Sequence, residues 1–137
     1  MACGFFNFCL FKRECFEASI KEDYELSERC GKRCDEMFKR YYGTGISNDN
    51  DSSTLSNYVN HYNKNLNKCF ILVRTISIPK DKKKDVLTIK NLFDINENKE
   101  YGSFAKTGEK LMDCRLLDKF CKSEQEWELL IKPYMEE

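Results

Sequence analysis

Apolar residues recur at steps of three and four positions across residues 23–42, and charged residues fill most of the positions between them. This spacing is that of a helix with one apolar stripe. Acidic residues dominate the first turns and basic residues the last, which suits the helix dipole. Gly43 is a natural helix end. The sequence therefore predicts an amphipathic helix over residues 23–42, with a stripe made of Leu26, Cys30, Cys34, Met37, Phe38, Tyr41 and Tyr42.

The middle of the chain is rich in β-branched residues and is divided by short polar turns. In the first predicted strand, Cys69, Ile71 and Val73 would share one face, because side chains alternate along a strand. Short turns join antiparallel neighbours and cannot cross over to parallel ones. A three-stranded antiparallel meander is therefore expected over residues 67–78, 86–95 and 100–106. The polar stretch 44–57 before it is expected to be a mobile loop.

Helical patterns return after the strands. Asp113 can cap a short helix running through Cys114, Leu117 and Cys121. Ser123 with Glu126 forms a capping box that opens a second helix. The chain is thus predicted to be α+β, with an N-terminal amphipathic helix, a three-stranded meander and one or two C-terminal helices packed on one sheet face. The expected core consists of Leu26, Phe38, Phe70, Leu72, Ile89, Leu92, Phe93, Leu117, Trp127, Leu130 and Ile131.

Length and charge narrow the possible functions. A chain of 137 residues has the commonest size for one domain. Its 23 basic and 23 acidic residues cancel, which argues against a protein that coats nucleic acid. Four lysines in the turn 80–85 lack an aromatic platform and are expected to be solvated rather than to bind nucleic acid. No run approaches the ~20 apolar residues of a membrane-spanning helix.

Residues 1–20 stand apart from the expected domain, which covers residues 21–137. Residues 2–11 are as apolar as the core of a signal peptide, but no basic residue precedes them and no cleavage site is visible. The segment is interpreted as a defective export signal, a truncated or misassigned start, or a hydrophobic arm. It is expected to contribute little to the fold.

Eight cysteines suggest disulfides, which persist in extracytoplasmic compartments. Cys30 and Cys34 lie on successive helical turns, about 6 Å apart, and cannot bridge each other. Cys69 opens the nearest predicted strand, so a Cys30–Cys69 bridge is expected. A Cys114–Cys121 bridge is expected where the chain bends before Ser123. Cys34 is then predicted to be a buried free thiol.

These thiols have two alternative uses. Cys30, Cys34, His61 and Cys69 offer the ligand types of a zinc site, but the tight C-x2-C spacing typical of such sites is absent. A Cys34–His61 thiol or metal cluster, or a Cys69–His61 nucleophile and base, would require the fold to bring them together. Buried thiols or disulfides are favoured, and no metal, cofactor or catalytic residue is assigned.

Asp94, Asn96 and Asn98 imitate the start of a calcium loop, but Lys99 and Ala105 replace the required glycine and glutamate. A hairpin turn explains these residues without calcium.

Three phrases of the sequence carry a family resemblance: HYNKNLNKCFILV over residues 61–73, LFDINENKEYGSF over 92–104 and CKSEQEWELLIKPYMEE over 121–137. Residues 24–137 resemble a group of small uncharacterised bacterial proteins that often carry an export or lipoprotein-type signal. The resemblance implies an exported protein and no particular activity.

These observations favour a noncatalytic, extracytoplasmic domain that binds another macromolecule or supports an envelope assembly. The sequence does not identify the partner, for which a protein is one candidate. Two alternatives stay open. One is a thiol-dependent enzyme or redox protein that uses Cys69 or the Cys30 and Cys34 pair. The other is a cytosolic regulatory module with reduced cysteines.

Overall fold

The computed structural model describes the backbone of residues 12–136 and the side chains of residues 19–136. A long helix comes first, an antiparallel sheet follows, and a shorter helix comes last, which confirms the predicted α+β class. The helices are α1 (Lys12–Tyr42) and α2 (Glu124–Met135). Spatial order in the sheet follows chain order through β1 (Ile46–Asn48), β2 (Ser52–Asn63), β3 (Lys68–Pro79), β4 (Leu87–Asp94), β5 (Lys99–Thr107), β6 (Lys110–Leu116) and β7 (Lys119–Phe120).

Helix α1 begins eleven residues before the predicted start at Asp23. The apolar stripe marks only the part of a helix that packs on a sheet, and the charged sequence before it contains no helix breaker. The helix ends as predicted, where Gly43 adopts a φ of 61° and its N–H donates to Lys39 O at 3.0 Å. The boundary expected at residue 21 falls within this helix. Residues 1–11 of the arm or signal proposed for residues 1–20 lie outside the described residues.

The sheet has seven strands rather than three. The three predicted strands correspond to β3, β4 and β5, and both of their antiparallel pairings are confirmed. The expected loop over residues 44–57 is wrong, because it contains β1 and the first half of β2. Strand β2 is polar, but it pairs with β3 along its whole length, from Ser52 opposite Pro79 to Asn63 opposite Lys68. Backbone hydrogen bonds to β3 therefore hold β2 in the sheet, although β2 has no marked apolar pattern of its own.

The short helix predicted through Cys114 and Cys121 is also wrong. Strands β6 and β7 form a hairpin there, and Leu117 in its turn has a φ of 53°. The N–H of Cys121 donates to Cys114 O at 2.9 Å across the hairpin. Cys114 and Leu116 are buried at alternate positions, which is the spacing of a strand.

The two helices lie on opposite faces of the sheet, not on one face as predicted. Residues 69–73 of β3 are all buried, so other parts of the chain pack on both faces of this strand. Cys69, Ile71 and Val73 share the face packed by α1, as the alternation predicted. Phe70 and Leu72 point to the other face, where they pack with Trp127 and Ile131 of α2 and with residues of β4, β5 and β6.

The α2 face is an aromatic core. Trp127 is fully buried, and its indole N–H donates to Arg115 O at 3.0 Å. The rings of Phe70, Tyr101 and Tyr134 meet edge to face, with centroids 5.1–5.5 Å apart. Gly102 is required by this packing, because a Cβ atom there would lie 2.9 Å from Leu116 Cδ1.

The predicted core is confirmed for six residues and is too generous for the others. The buried residues are Phe38, Phe70, Leu72, Leu92, Trp127 and Ile131. The remaining five are half-buried, namely Leu26, Ile89, Phe93, Leu117 and Leu130. The prediction omitted Phe104 and Leu116, because it placed no sheet partner beyond β5 and interpreted the β6 segment as helix.

Candidate functional site: a cysteine cluster and an aliphatic surface

Three cysteine sulfurs converge between α1 and β3. Cys30 and Cys34 face the sheet from successive turns of α1, and Cys69 faces them from β3. Their Sγ atoms all lie within 4.8 Å of one another, and all three residues are buried. We call this group the cysteine cluster. It is the one group of metal-ligand type found among the described residues.

Among the side chains that the structure describes, two cysteine pairs lie at disulfide distance, and they are the two pairs expected from the sequence. Cys30 and Cys69 join α1 to β3 with a Cα–Cα distance of 5.5 Å. Cys114 and Cys121 lie across the β6–β7 hairpin with a Cα–Cα distance of 5.1 Å. The second pair meets through a hairpin rather than through the helix bend that suggested it.

Among the cysteines whose side chains lie in the described range 19–136, Cys34 is the one left outside these pairs. Its Sγ lies 3.6 Å from Cys69 Sγ, and its thiol is 3.8 Å from the carbonyl oxygen of Phe70, a weak acceptor contact. Burial raises the pKa of the Cys34 thiol to about 12, because the apolar surroundings disfavour the thiolate. Cys34 therefore rests as a neutral thiol in contact with one sulfur of a bridge.

The structure separates His61 from the cysteine cluster. His61 therefore does not form the Cys34–His61 thiol or metal cluster that the sequence offered as a candidate, nor the Cys69–His61 pair that the sequence did not favour. His61 lies directly opposite Phe70 in the β2–β3 ladder, whereas Cys69 lies opposite Tyr62. Directly opposed residues of an antiparallel pair point to the same face of the sheet. His61 is thus on the α2 face with Phe70, and the cysteine cluster is on the α1 face.

Two cavities adjoin the cluster side of the sheet. One of about 100 Å³ is bordered by Cys30 and Cys69 and by the side chains of Arg29 and Arg33. Arg33 also hydrogen-bonds Asn96 at the same place. A larger cavity of about 390 Å³ lies between the end of α1 and the β4–β5 turn, where Met37, Tyr41, Tyr42, Phe93, Asp94, Ile95 and Asn98 line it.

The segment that imitates a calcium loop is a hairpin turn, as predicted. One carboxylate oxygen of buried Asp94 accepts hydrogen bonds from the N–H groups of Asn96 and Glu97, at 3.1 and 3.4 Å. The other oxygen lies 3.1 Å from Lys68 Nζ. The acid therefore holds the β4–β5 turn and pairs with Lys68.

Sequence analysis missed an exposed group of aliphatic side chains on the α2 face, beyond the end of the helix. Ile46 lies opposite Leu55, which in turn lies opposite Ile76, so the three form a row across β1, β2 and β3. We call this row, with its neighbours on the same face, the aliphatic surface. Its members are 41–62% exposed and comprise Ile46, Leu55, Val59, Ile76 and Ile78. The alternation ISI at residues 76–78 was the available signal, but β2 had to be recognised before a surface could be assembled.

The reverse side of the same strand segments is polar. Ser56 and Thr75 hydroxyls are hydrogen-bonded at 2.9 Å, and Thr54 donates to Ser77 at 3.3 Å. The sheet therefore extends past both helices as an amphipathic ribbon with one hydroxyl face and one aliphatic face.

Comparisons with known proteins provide no relative for this chain: no family model, no curated protein and no solved structure matches it. Within the residues described, neither helix is both long enough and apolar enough to cross a membrane.

Proposed function

We propose that this protein is a noncatalytic, extracytoplasmic domain that binds another protein through the aliphatic surface. The single observation that carries the proposal is the cross-strand row of Ile46, Leu55 and Ile76, exposed on a face that α2 covers only in part. Single exposed aliphatic residues are ordinary, whereas a contiguous group on a rigid sheet is typical of an interaction site.

The aliphatic surface leaves apolar area in contact with water. Fully burying an aliphatic side chain stabilises by about 1.5–3 kcal/mol, so five half-exposed side chains retain a substantial part of that free energy for association. A cleft of about 270 Å³ between α2 and the sheet continues the surface from Val59 towards Ile131 and Met135. A partner chain could therefore contact both the flat row and a recess beside it.

The charges near the aliphatic surface favour a protein over an anionic membrane or nucleic acid. The lysine turn over residues 80–84 lies next to Ile78, but four aspartates, at positions 49, 51, 81 and 85, lie in the same two turns. The N–H of Lys80 donates to Asp51 O at 2.9 Å, which brings the turns together. Because the charges offset each other, no positive field develops that would attract phosphate groups.

The proposed location rests on the cysteines. Two pairs at disulfide distance are compatible with an oxidising compartment. The alternative of a thiol-dependent enzyme has less support, because burial raises the pKa of Cys34 and Cys69 is paired. A cytosolic regulatory module would require both pairs to be reduced in the cell.

Site-specific photo-crosslinking in the native host tests the binding proposal. A photoreactive amino acid at Leu55 should give a discrete crosslinked protein, and the additional substitution Ile76→Ser should abolish it. The matched control carries the same probe at Leu129, which is 67% exposed on the outer side of α2. Equal crosslinking from both positions, or crosslinking to lipid only, would contradict a protein-binding aliphatic surface.

The location is tested separately by trapping thiols in intact cells with acid and an alkylating reagent. Cys30, Cys69, Cys114 and Cys121 should be recovered as two disulfide-linked peptide pairs. Recovery of all four as alkylated single peptides would contradict the extracytoplasmic location and favour the cytosolic alternative.

A further inference from the structure

The contact between Cys34 and the Cys30–Cys69 pair has a covalent consequence. Cys34 Sγ is 3.6 Å from Cys69 Sγ, and a bond of about 2.05 Å would require an approach of about 1.5 Å. The Cys34 side chain must also turn into line with the Cys30–Cys69 bond, because the three sulfurs now lie within 4.8 Å of one another. Cys30 and Cys34 lie one helical turn apart on α1, and both face Cys69 on β3. Cys69 thus has two alternative partners on one helix.

We propose that Cys34 is an internal nucleophile that takes Cys69 over from Cys30, and that this exchange makes Cys30 a modifiable thiol beside Arg29 and Arg33. The step is thiol–disulfide exchange. The Cys34 sulfur forms a bond with Cys69 Sγ as the bond between Cys30 and Cys69 breaks. Cys30 leaves as a thiolate and takes up the proton that Cys34 lost. No oxidant or reductant is consumed.

The two bridged forms close loops of nearly equal length. Cys30 and Cys69 are separated by 39 positions and Cys34 and Cys69 by 35. The entropy of loop closure depends only on the logarithm of loop length, so it does not distinguish the two forms. Local geometry and the surroundings of the thiol that is left free therefore decide between them.

Those surroundings differ. Cys34 is fully buried and does not line the cavities that adjoin the cluster, whereas Cys30 borders the 100 Å³ cavity together with the two arginines. Nearby guanidinium groups favour a thiolate, which is the reactive form. Exchange would thus move the free thiol from a sealed position to the border of a cavity, where the Cys30 thiolate can attack a small disulfide such as oxidised glutathione and release one glutathione thiolate.

The variant Cys30→Ser tests the exchange partner directly. The full chain is oxidised, its free thiols are blocked with N-ethylmaleimide in acid, and it is digested with trypsin. Cleavage at Arg29, Lys32 and Arg33 separates the cysteines of α1, and cleavage at Lys68 and Arg74 releases that of β3. We expect the Cys34 and Cys69 peptides to be recovered joined. Their recovery as two blocked single peptides, or with Cys69 joined to another cysteine, would overturn the proposal.

A second measurement uses the wild-type protein and does not depend on the folding of a variant. Native protein is held with oxidised glutathione at several pH values, quenched in acid and mapped. We expect glutathione on Cys30, accompanied by the joined Cys34 and Cys69 peptides. The initial rate should rise about tenfold per pH unit below the thiol pKa, because the thiolate attacks.

The matched controls separate exchange from general scrambling. Cys34→Ser should carry no glutathione on Cys30, whereas the double variant Cys114→Ser with Cys121→Ser should behave like wild type at the cluster. Glutathione on Cys34 with the Cys30–Cys69 pair intact, or unchanged modification of Cys30 in Cys34→Ser, would contradict the exchange. These results are independent of whether the aliphatic surface binds a protein.

Discussion

The two faces of the sheet are filled by different chemistry. Under α1, half of the buried apolar residues are cysteines, and the core consists of Cys30, Cys34, Phe38, Cys69, Ile71 and Val73. Under α2, large aromatic side chains surround Trp127 and meet at ordinary ring–ring geometries. Small sulfur side chains bury less area per residue than aromatic ones. The stability of the α1 face therefore depends more on the Cys30–Cys69 link, and the stability of the α2 face depends more on side-chain packing.

The substitution Trp127→Ala should break the α2 face and have the largest effect. It removes a fully buried side chain and leaves Arg115 O without its hydrogen bond. We expect the free energy of unfolding to fall by about 3–5 kcal/mol, measured by urea denaturation. The control Leu129→Ala, on the exposed side of the same helix, should change it by less than about 0.5 kcal/mol. An unchanged midpoint for Trp127→Ala would contradict the described packing.

Cys69→Ala should weaken the α1 face by a similar or smaller amount, for a different reason. It removes the α1–β3 link and prevents Cys34 from replacing Cys30. In the chain-entropy model, a loop of this length contributes about 3–4 kcal/mol. The decisive readout is the reduced protein, in which wild type and Cys69→Ala should differ by less than they do when oxidised. An equal difference in both states would show that packing alone explains the loss.

The ion pairs of Glu124 at the edge of the α2 face give the smallest expected change in the free energy of unfolding, and this change depends on pH. Ion pairs with Lys106 and then Lys90 lower the pKa of Glu124 from its ordinary value of 4.5. A depressed carboxyl pKa adds stability above the unfolded-state value, and this stability disappears as pH falls through the folded-state value. Because Glu124 is about one-third exposed, we expect less than about 1 kcal/mol.

The measurement compares wild type with Glu124→Gln in urea denaturation at a series of pH values. The wild-type advantage should be constant near neutral pH and should shrink as pH falls below about 4.5. The variant Glu36→Gln is a suitable control, because Glu36 is exposed on α1, on the other face of the sheet. An advantage that grows towards acid pH would reverse the assigned sign.

The sequence by itself was sufficient where local pattern and burial coincide. The stripe of α1, its end at Gly43, the capping box at Ser123 and the central strands β3, β4 and β5 all follow from periodicity or capping. In the structure, the Ser123 hydroxyl accepts from the Glu126 N–H at 3.1 Å, and the carboxylate of Glu126 accepts from the Lys122 N–H. The Cys30–Cys69 pair was also expected, because a helix cannot bridge its own successive turns. The Cys114–Cys121 pair was expected from a bend between helices, and a hairpin brings it together instead.

Only the tertiary structure revealed the strands that are stabilised by pairing with an adjacent strand. Strand β2 has no strong apolar alternation and exists as a partner for β3, whereas β6 and β7 form a hairpin where helical spacing occurred by coincidence. The placement of the helices on opposite faces, the separation of His61 from the cysteines and the contact of Cys34 with Cys69 depend on strand register and on which face each helix covers. A one-residue change in register would reverse these faces, and no local sequence pattern fixes a register between distant segments.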